Sequence, residues 1–208
     1  MTRAQAILLN ALGLYGIAFV LVFAFLAQVL LHELPCPLCL LQRIMFAMVA
    51  IGPILNVRHG PRPSHYALSL LAAVIGAVVS GRQVLLHILP GDPGYGSALF
   101  GYHFYTWAFI AFASAIVLIA LVMLFERPFE QGKKQEGYEG GSLQKEGSRG
   151  GNVLQKEGDG RPDLPHALAQ IAVGIVVGLT ALNAVSALLE CGLAACPDNP
   201  TVYRWLVR

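Results

Sequence analysis

Five stretches of this chain hold almost no charge, and each is long enough, or nearly so, to cross a lipid bilayer. They run from about Ala6 to Leu31, Cys39 to Leu55, Tyr66 to Leu89, Tyr105 to Phe125 and Ala167 to Leu189. A hydrocarbon core of ~30 Å needs about 20 helical residues at a rise of about 1.5 Å each. The second stretch is near the short end of that range, which puts Cys39 close to the start of its helix. Composition agrees: 56% of the 208 residues are hydrophobic and 12% charged, where a soluble domain carries about 25% charge. The pattern predicts an all-α, polytopic membrane helical bundle of five spans. A net charge of +2 with no basic stripe among aromatics argues against a nucleic-acid partner. The first stretch is too long for a signal h-region and no small-residue cleavage site follows it, so it is expected to remain as a span.

Basic residues set the expected orientation. Arg3 precedes the first span, Arg58 and Arg62 lie between the second and third, and seven Lys or Arg lie between Arg127 and Arg161. These segments are expected on the cytoplasmic side. Leu31–Cys39 and Leu89–Phe104 carry no Lys or Arg and are expected outside, with the N-terminus inside and the C-terminal tail outside. Arg204 and Arg208 run mildly against this without outweighing the other loops.

Three regions follow: a four-span part over 1–125, a glycine-rich segment over 126–166, and a fifth span with its tail over 167–208. The middle region mixes both charge signs with glycine and repeats Leu-Gln-Lys-Glu-Gly at 143–147 and 154–158. It has too little apolar surface to offset the entropy of ordering, so a flexible spacer is expected.

The four cysteines sort into two pairs, Cys36 with Cys39 and Cys191 with Cys196. On the topology above both pairs face outward, one at the mouth of the second span and one just beyond the fifth. Three readings fit. The spacings are tolerable for a Cys₄ zinc site. Two short structural disulfides are equally allowed, although so small a loop gains little entropically. A redox relay is the third reading, since labile disulfides are the catalytic ones and an oxidising outer face sustains them.

The surroundings of Cys39 favour redox chemistry. Pro37 resists helix continuation, so the helix is expected to start at Leu38 or Cys39. A thiol at a helix N-terminus is stabilised as the thiolate. Arg43 stands at i+4 on the same face and adds a permanent positive charge, or snorkels at the interface. Arg82 lies inside the third span, where an ionisable group is a candidate site residue, and His87 lies nearer the outer end. Either is a candidate for a binding site, or Arg82 pairs with Glu33 or Asp92. His103 and Trp107 read as interface residues.

The run Cys36-Pro-Leu-Cys-Leu-Leu-Gln-Arg43 resembles the signature of the disulfide bond formation protein B (DsbB) family. The hydropathy of the first four spans resembles that family, as does the stretch from Gly81 to Ile110. The resemblance implies a four-helix DsbB-like core plus a fifth transmembrane helix in a bacterial inner membrane. It further implies a thiol oxidase that reoxidises a periplasmic thioredoxin-like, DsbA-like dithiol oxidase and passes electrons to the membrane quinone pool. On that reading Cys191–Cys196 meets the partner, through Cys191 by its position in the pair. Cys36–Cys39 then oxidises the second pair, and Cys39 faces the quinone (ubiquinone or menaquinone). Arg43 binds a quinone oxygen, with Arg82 and His87 as further candidates, and no metal is expected.

One departure stands out. Better-known members carry the second pair between spans three and four, whereas Pro90–Phe104 has no cysteine here. In the tail, Pro197 and Pro200 break any helix, and Tyr203, Trp205 and the flanking arginines read as interfacial anchors. Such anchors are expected to fold the tail back toward Cys36. A vitamin-K-epoxide-reductase-like oxidoreductase and a non-enzymatic zinc-binding scaffold are the alternatives.

Overall fold

The computed structural model of the protein describes residues 3–125, 164–192, 196 and 203. The helices are α1 (Arg3–Leu30), α2 (Pro37–Val49), α3 (Ile51–His59), α4 (Pro63–Leu86), α5 (Phe104–Phe125) and α6 (Leu164–Cys191). Two short antiparallel strands, β1 (Ala98–Leu99) and β2 (Tyr102–His103), pair between α4 and α5. Among the described residues, five helical segments are long and apolar enough to cross a membrane, with α2 and α3 forming one span from Pro37 to His59. The chain is a multi-pass membrane protein built as a helical bundle.

The second span is longer than expected and interrupted. Pro53 has no N–H to give the Val49 carbonyl, and its ring crowds the preceding turn. Ser69 of α4 fills the gap, its hydroxyl donating to the Val49 oxygen at 2.6 Å. Gly52 makes that approach possible, because a Cβ there would collide with Ser69 and the His65 carbonyl.

On α1 the buried positions Ile7, Ala11, Leu14, Ala18, Leu21 and Gln28 follow three-four spacing and form one seam. Its small residues meet Ala169, Ala172 and Val176 of α6, the close approach that helices use in lipid. A second cluster joins Leu21, Phe46, Val49, Ala72, Ala73 and Phe112. There Phe46 of α2 stacks on Phe112 of α5 with centroids 4.0 Å apart. Gly76 of α4 admits that ring, since a Cβ would overlap it. At the end of the bundle opposite the cysteines, Asn56 donates to Asn10, and Asn10 donates to the Tyr66 hydroxyl.

Several boundaries differ from expectation. α2 starts at Pro37, where the fixed φ suits the first helical position. α4 ends at Leu86, because the His87 N–H turns back to the Val84 carbonyl. α6 runs from Leu164, so the last residues of the 126–166 region are helical. It also reaches Cys191, which closes the helix instead of lying beyond it. Gly192, at φ +67°, ends it with an N–H to the Leu188 carbonyl. The repeats at 143–147 and 154–158, the seven basic residues of that region, and Trp205 with its neighbouring arginines lie outside the described residues.

Candidate functional site

Cys36 is the N-cap of α2, and its Sγ accepts the Cys39 N–H at 3.1 Å. It is also disulfide-bonded to Cys39. The favourable position at the helix start is thus shared by both sulfurs, where the sequence favoured Cys39. Gln83 of α4 adds side-chain donors, with Nε2 at 3.3 Å from the Cys36 Sγ and 3.6 Å from the Cys39 Sγ. Gln42 fixes the orientation of that amide by donating to the Gln83 Oε1 at 2.8 Å. Cys36 is 6% exposed, whereas Cys39 opens onto a cavity.

The cavity has a volume of about 370 Å³. Its walls are mostly apolar: Phe19, Val20, Phe23 and Ala24 from α1, Phe46 from α2, and Trp107 and Ala108 from α5. Polar groups enter from Gln28, Glu33, Gln42 and Arg43. A pocket of this size and character suits a small planar ligand with a few polar atoms.

Arg43 is firmly held. Its Nη1 donates to the Gln28 Oε1 at 2.7 Å and the Asn183 Oδ1 at 3.4 Å, and its Nη2 donates to the Ala24 carbonyl at 3.0 Å. Its guanidinium carbon lies 5.4 Å from the Phe25 ring centroid. None of its described hydrogen bonds goes to a cysteine sulfur. Arg43 and Cys39 are brought together as neighbouring parts of one cavity wall.

The loop after α4 roofs this end. The Ser97 N–H and hydroxyl donate to the two oxygens of Glu33 at 2.9 and 2.8 Å, and the Tyr95 hydroxyl donates to the Leu34 carbonyl. Burial holds the Tyr95 hydroxyl above its usual range, and the charges of Glu190 and Glu33 act in the same direction. Phe100 and Gly101, both at positive φ, make the tight turn of the β1–β2 hairpin. Trp107, expected only at the interface, lines the cavity and donates to the Leu99 carbonyl.

Arg82 and His87 stay outside the cavity. Arg82 is on the exposed face of α4, because one residue is about 100° of helix and Gln83 takes the inward direction. Glu33 and Asp92, its suggested ion-pair partners, are engaged with Ser97 and with His87 and Gly94. His87 meets Asp92 at 3.0 Å and stacks on Tyr105, which does line the cavity. The Gly94 N–H first, and then His87, hold the Asp92 carboxyl below its usual range.

Cys191 and Cys196 form the second disulfide. It lies at the same end of the bundle as the first, since Gln28 donates to Ser186 and Arg43 to Asn183, both on the last turns of α6. Tyr203 of the tail accepts from Gln28 at 2.8 Å, as a tail folded back toward the first pair requires. Cys191 is 6% exposed and Cys196 half-buried. Cys196 is thus the more exposed of the two, whereas position in the pair had suggested Cys191 as the one to meet a partner.

Gln28, Gln42, Gln83, Asn183 and Glu190 were not singled out from the sequence. The signal was available: each is a polar side chain in an otherwise apolar span, where such groups mark function or pairing.

A family model described as disulfide bond formation protein DsbB matches residues 6–97. Disulfide bond formation protein B of Xanthomonas axonopodis pv. citri is 38% identical over 95 residues, covering 43% of this chain and 53% of that protein. The protein of the same name from Chromobacterium violaceum is 41% identical over 95 residues, covering 44% and 55%. That of Nitrosomonas eutropha is 35% identical over 88 residues, covering 40% and 51%. The chain spans about half the length of the curated relatives it matches. No solved structure matches. Residues 6–97 are therefore similar to the disulfide bond formation protein DsbB family, in a chain whose fifth span and second cysteine pair lie beyond the match.

Proposed function

We propose that the chain is a membrane thiol oxidase of the bacterial inner membrane that reoxidises a periplasmic thioredoxin-like, DsbA-like dithiol and delivers the electrons to a membrane quinone. The observation that carries this reading is the pairing of Cys39 with Arg43 in the wall of one apolar cavity, at the end of the bundle that also holds Cys191–Cys196. Both pairs are disulfide-bonded, and a sulfur in a disulfide is not the thiolate that zinc requires.

The steps balance as thiol–disulfide exchange. A partner thiolate attacks the Cys196 sulfur, and Cys191 leaves as a thiolate. The second partner thiol resolves the mixed disulfide, so the partner is oxidised and Cys191/Cys196 become a dithiol. That dithiol opens Cys36–Cys39 in the same way and regains its own disulfide. Two electrons and two protons have then moved from the partner to Cys36/Cys39.

The cavity fits a quinone head, with aromatic and aliphatic walls for the ring and Gln28, Gln42 and Arg43 for its oxygens. When bound, a quinone supplies an acceptor for two electrons and two protons. Arg43, preorganised by Gln28 and Ala24, holds positive charge beside the place where negative charge develops. Gln83 donates to the sulfurs that become thiolates.

The test is reoxidation of a reduced DsbA-type dithiol by the purified full-length protein, with and without added quinone. The expected result is quinone-dependent turnover that Cys39→Ser and Cys196→Ser abolish. Quinone-independent turnover, or full activity in Cys191→Ser/Cys196→Ser, overturns the relay.

A further inference from the structure

Glu190 is the penultimate residue of α6 and the covalent neighbour of Cys191. It is fully buried, and neither carboxyl oxygen has a hydrogen-bond partner among the described residues. Among the described residues the other acids at this end are occupied: Glu33 by Ser97, and Asp92 by His87 and Gly94. A buried carboxyl without a partner is costly to keep, and one inside a span points to function.

Its neighbours narrow the role. Arg43 of α2 is the cation on which its charge acts, and Tyr95 of the outer loop also feels that charge. Yet Arg43 gives its described hydrogen bonds to Gln28, Asn183 and Ala24, so Glu190 is not the strut that holds the arginine. α1 carries no titratable group at this end, and Gln28, its polar residue there, is neutral. Tyr203, whose hydroxyl accepts from Gln28, completes the nearby titratable groups among the described residues. Glu190 thus adjoins one cysteine pair and lies in the field of the arginine one helical turn from the other.

We propose that Glu190 carries a proton to and from the Cys191 sulfur during exchange between the two pairs, an inference that rests on the thiol-oxidase reading above. When a partner thiolate opens Cys191–Cys196 at Cys196, the acid form of Glu190 protonates the departing Cys191 sulfur. When that sulfur later attacks the Cys36–Cys39 disulfide, the Glu190 carboxylate takes its proton back. In the first step a bond from the partner to Cys196 replaces the Cys191–Cys196 bond. In the second, Cys191 bonds to one sulfur of the first pair as Cys36–Cys39 breaks, and Cys196 then displaces that sulfur to re-form Cys191–Cys196, so Glu190 ends as it began. The second proton of each exchange travels with the second thiol. The carboxyl would sit where bulk water is excluded and, among the described residues, no other unengaged acid is at hand.

The experiment compares wild type, Glu190→Gln and Glu190→Asp in quinone-dependent reoxidation of a DsbA-type dithiol across pH. Glu190→Gln is expected to lower kcat by about a hundredfold, the usual worth of a positioned acid–base, and to flatten the pH profile. Glu190→Asp is expected to restore the shape of that profile. Direct reduction of Cys36–Cys39 by a small dithiol, read as quinone reduction, should be unchanged in both. An unaltered rate and profile in Glu190→Gln overturns the inference, as does an equal loss in both variants with an unchanged profile. A second measurement on wild type covers a variant that does not fold. Dicyclohexylcarbodiimide, which reacts with buried carboxylic acids, should label Glu190 and slow partner reoxidation while sparing the small-dithiol reaction. No label on Glu190, or labelled protein at full rate, overturns it equally. Wild type without quinone-dependent turnover removes the thiol-oxidase reading itself, which distinguishes that failure from the failure of Glu190 alone.

Discussion

The amide of Gln28 joins Arg43 to the C-terminal part of the chain. Its oxygen accepts from the Arg43 Nη1 at 2.7 Å, while its nitrogen donates to the Tyr203 hydroxyl at 2.8 Å and the Ser186 hydroxyl at 3.1 Å. One neutral side chain therefore orients the cation of the cavity and ties it to the fifth span and the tail.

Gln28→Leu keeps the volume and removes both functions. The buried donors left unpaired should lower stability by about 1–3 kcal/mol, read as thermal unfolding in detergent. The apparent KM for quinone should rise, as it should in Arg43→Ala, while both disulfides remain formed by mass spectrometry. An unchanged KM would separate Gln28 from the cavity.

Gln83→Leu tests the donors at the first disulfide. Its N–H groups stabilise thiolate sulfur more than disulfide sulfur, so their loss makes Cys36–Cys39 less oxidising. A hydrogen bond worth about 1 kcal/mol corresponds to a reduction potential lower by roughly 20 mV. Equilibration of the Cys191→Ser/Cys196→Ser background against a thiol redox buffer measures this shift directly.

Gly76→Ala places a methyl group where the Phe112 ring lies against α4. Overpacking of this kind costs about 1–3 kcal/mol. A lower unfolding temperature with the cysteine chemistry intact is expected, and pairing it with Phe112→Leu should recover part of the loss.

Acidification should loosen the loop that roofs the cavity. Asp92 is held below its usual range by the Gly94 N–H and His87, so it binds fewer protons folded than unfolded near its ordinary pKa. Its contribution is present above the ordinary carboxylate pKa and is lost as pH falls through the lowered one. Hydrogen exchange at the Gly94 amide should accelerate over that acidic window, and Asp92→Asn should remove the pH dependence.

The spans were legible because lipid demands long uncharged stretches, and those show in the sequence without any partner information. The ends were less so. Cys191 became the last residue of α6 because Gly192 supplies the helix stop, and α4 closed early because His87 turned to Val84 and Asp92. The grouping of the cysteines into two close pairs, and the place of Arg43 one helical turn after Cys39, were readable from spacing, whereas a quinone-binding role for Arg43 came only from the family resemblance. Arg82 drew attention by its charge, but helical phase gives the inward position to its neutral neighbour Gln83. The amides act through contacts between segments that are far apart in the chain, such as Gln28 with Tyr203 and Gln42 with Gln83. No local pattern records which span lies beside which.

The sulfur of Cys36 belongs to two structures at once, the first turn of α2 and the disulfide. Reduction of this pair would place negative charge where unsatisfied backbone N–H groups and the positive end of the helix already point. A thiolate at Cys36 would therefore be a stronger acceptor for the Cys39 N–H than the disulfide sulfur is. The charge that reduction would create and the backbone groups that would receive it meet in one helical turn of α2.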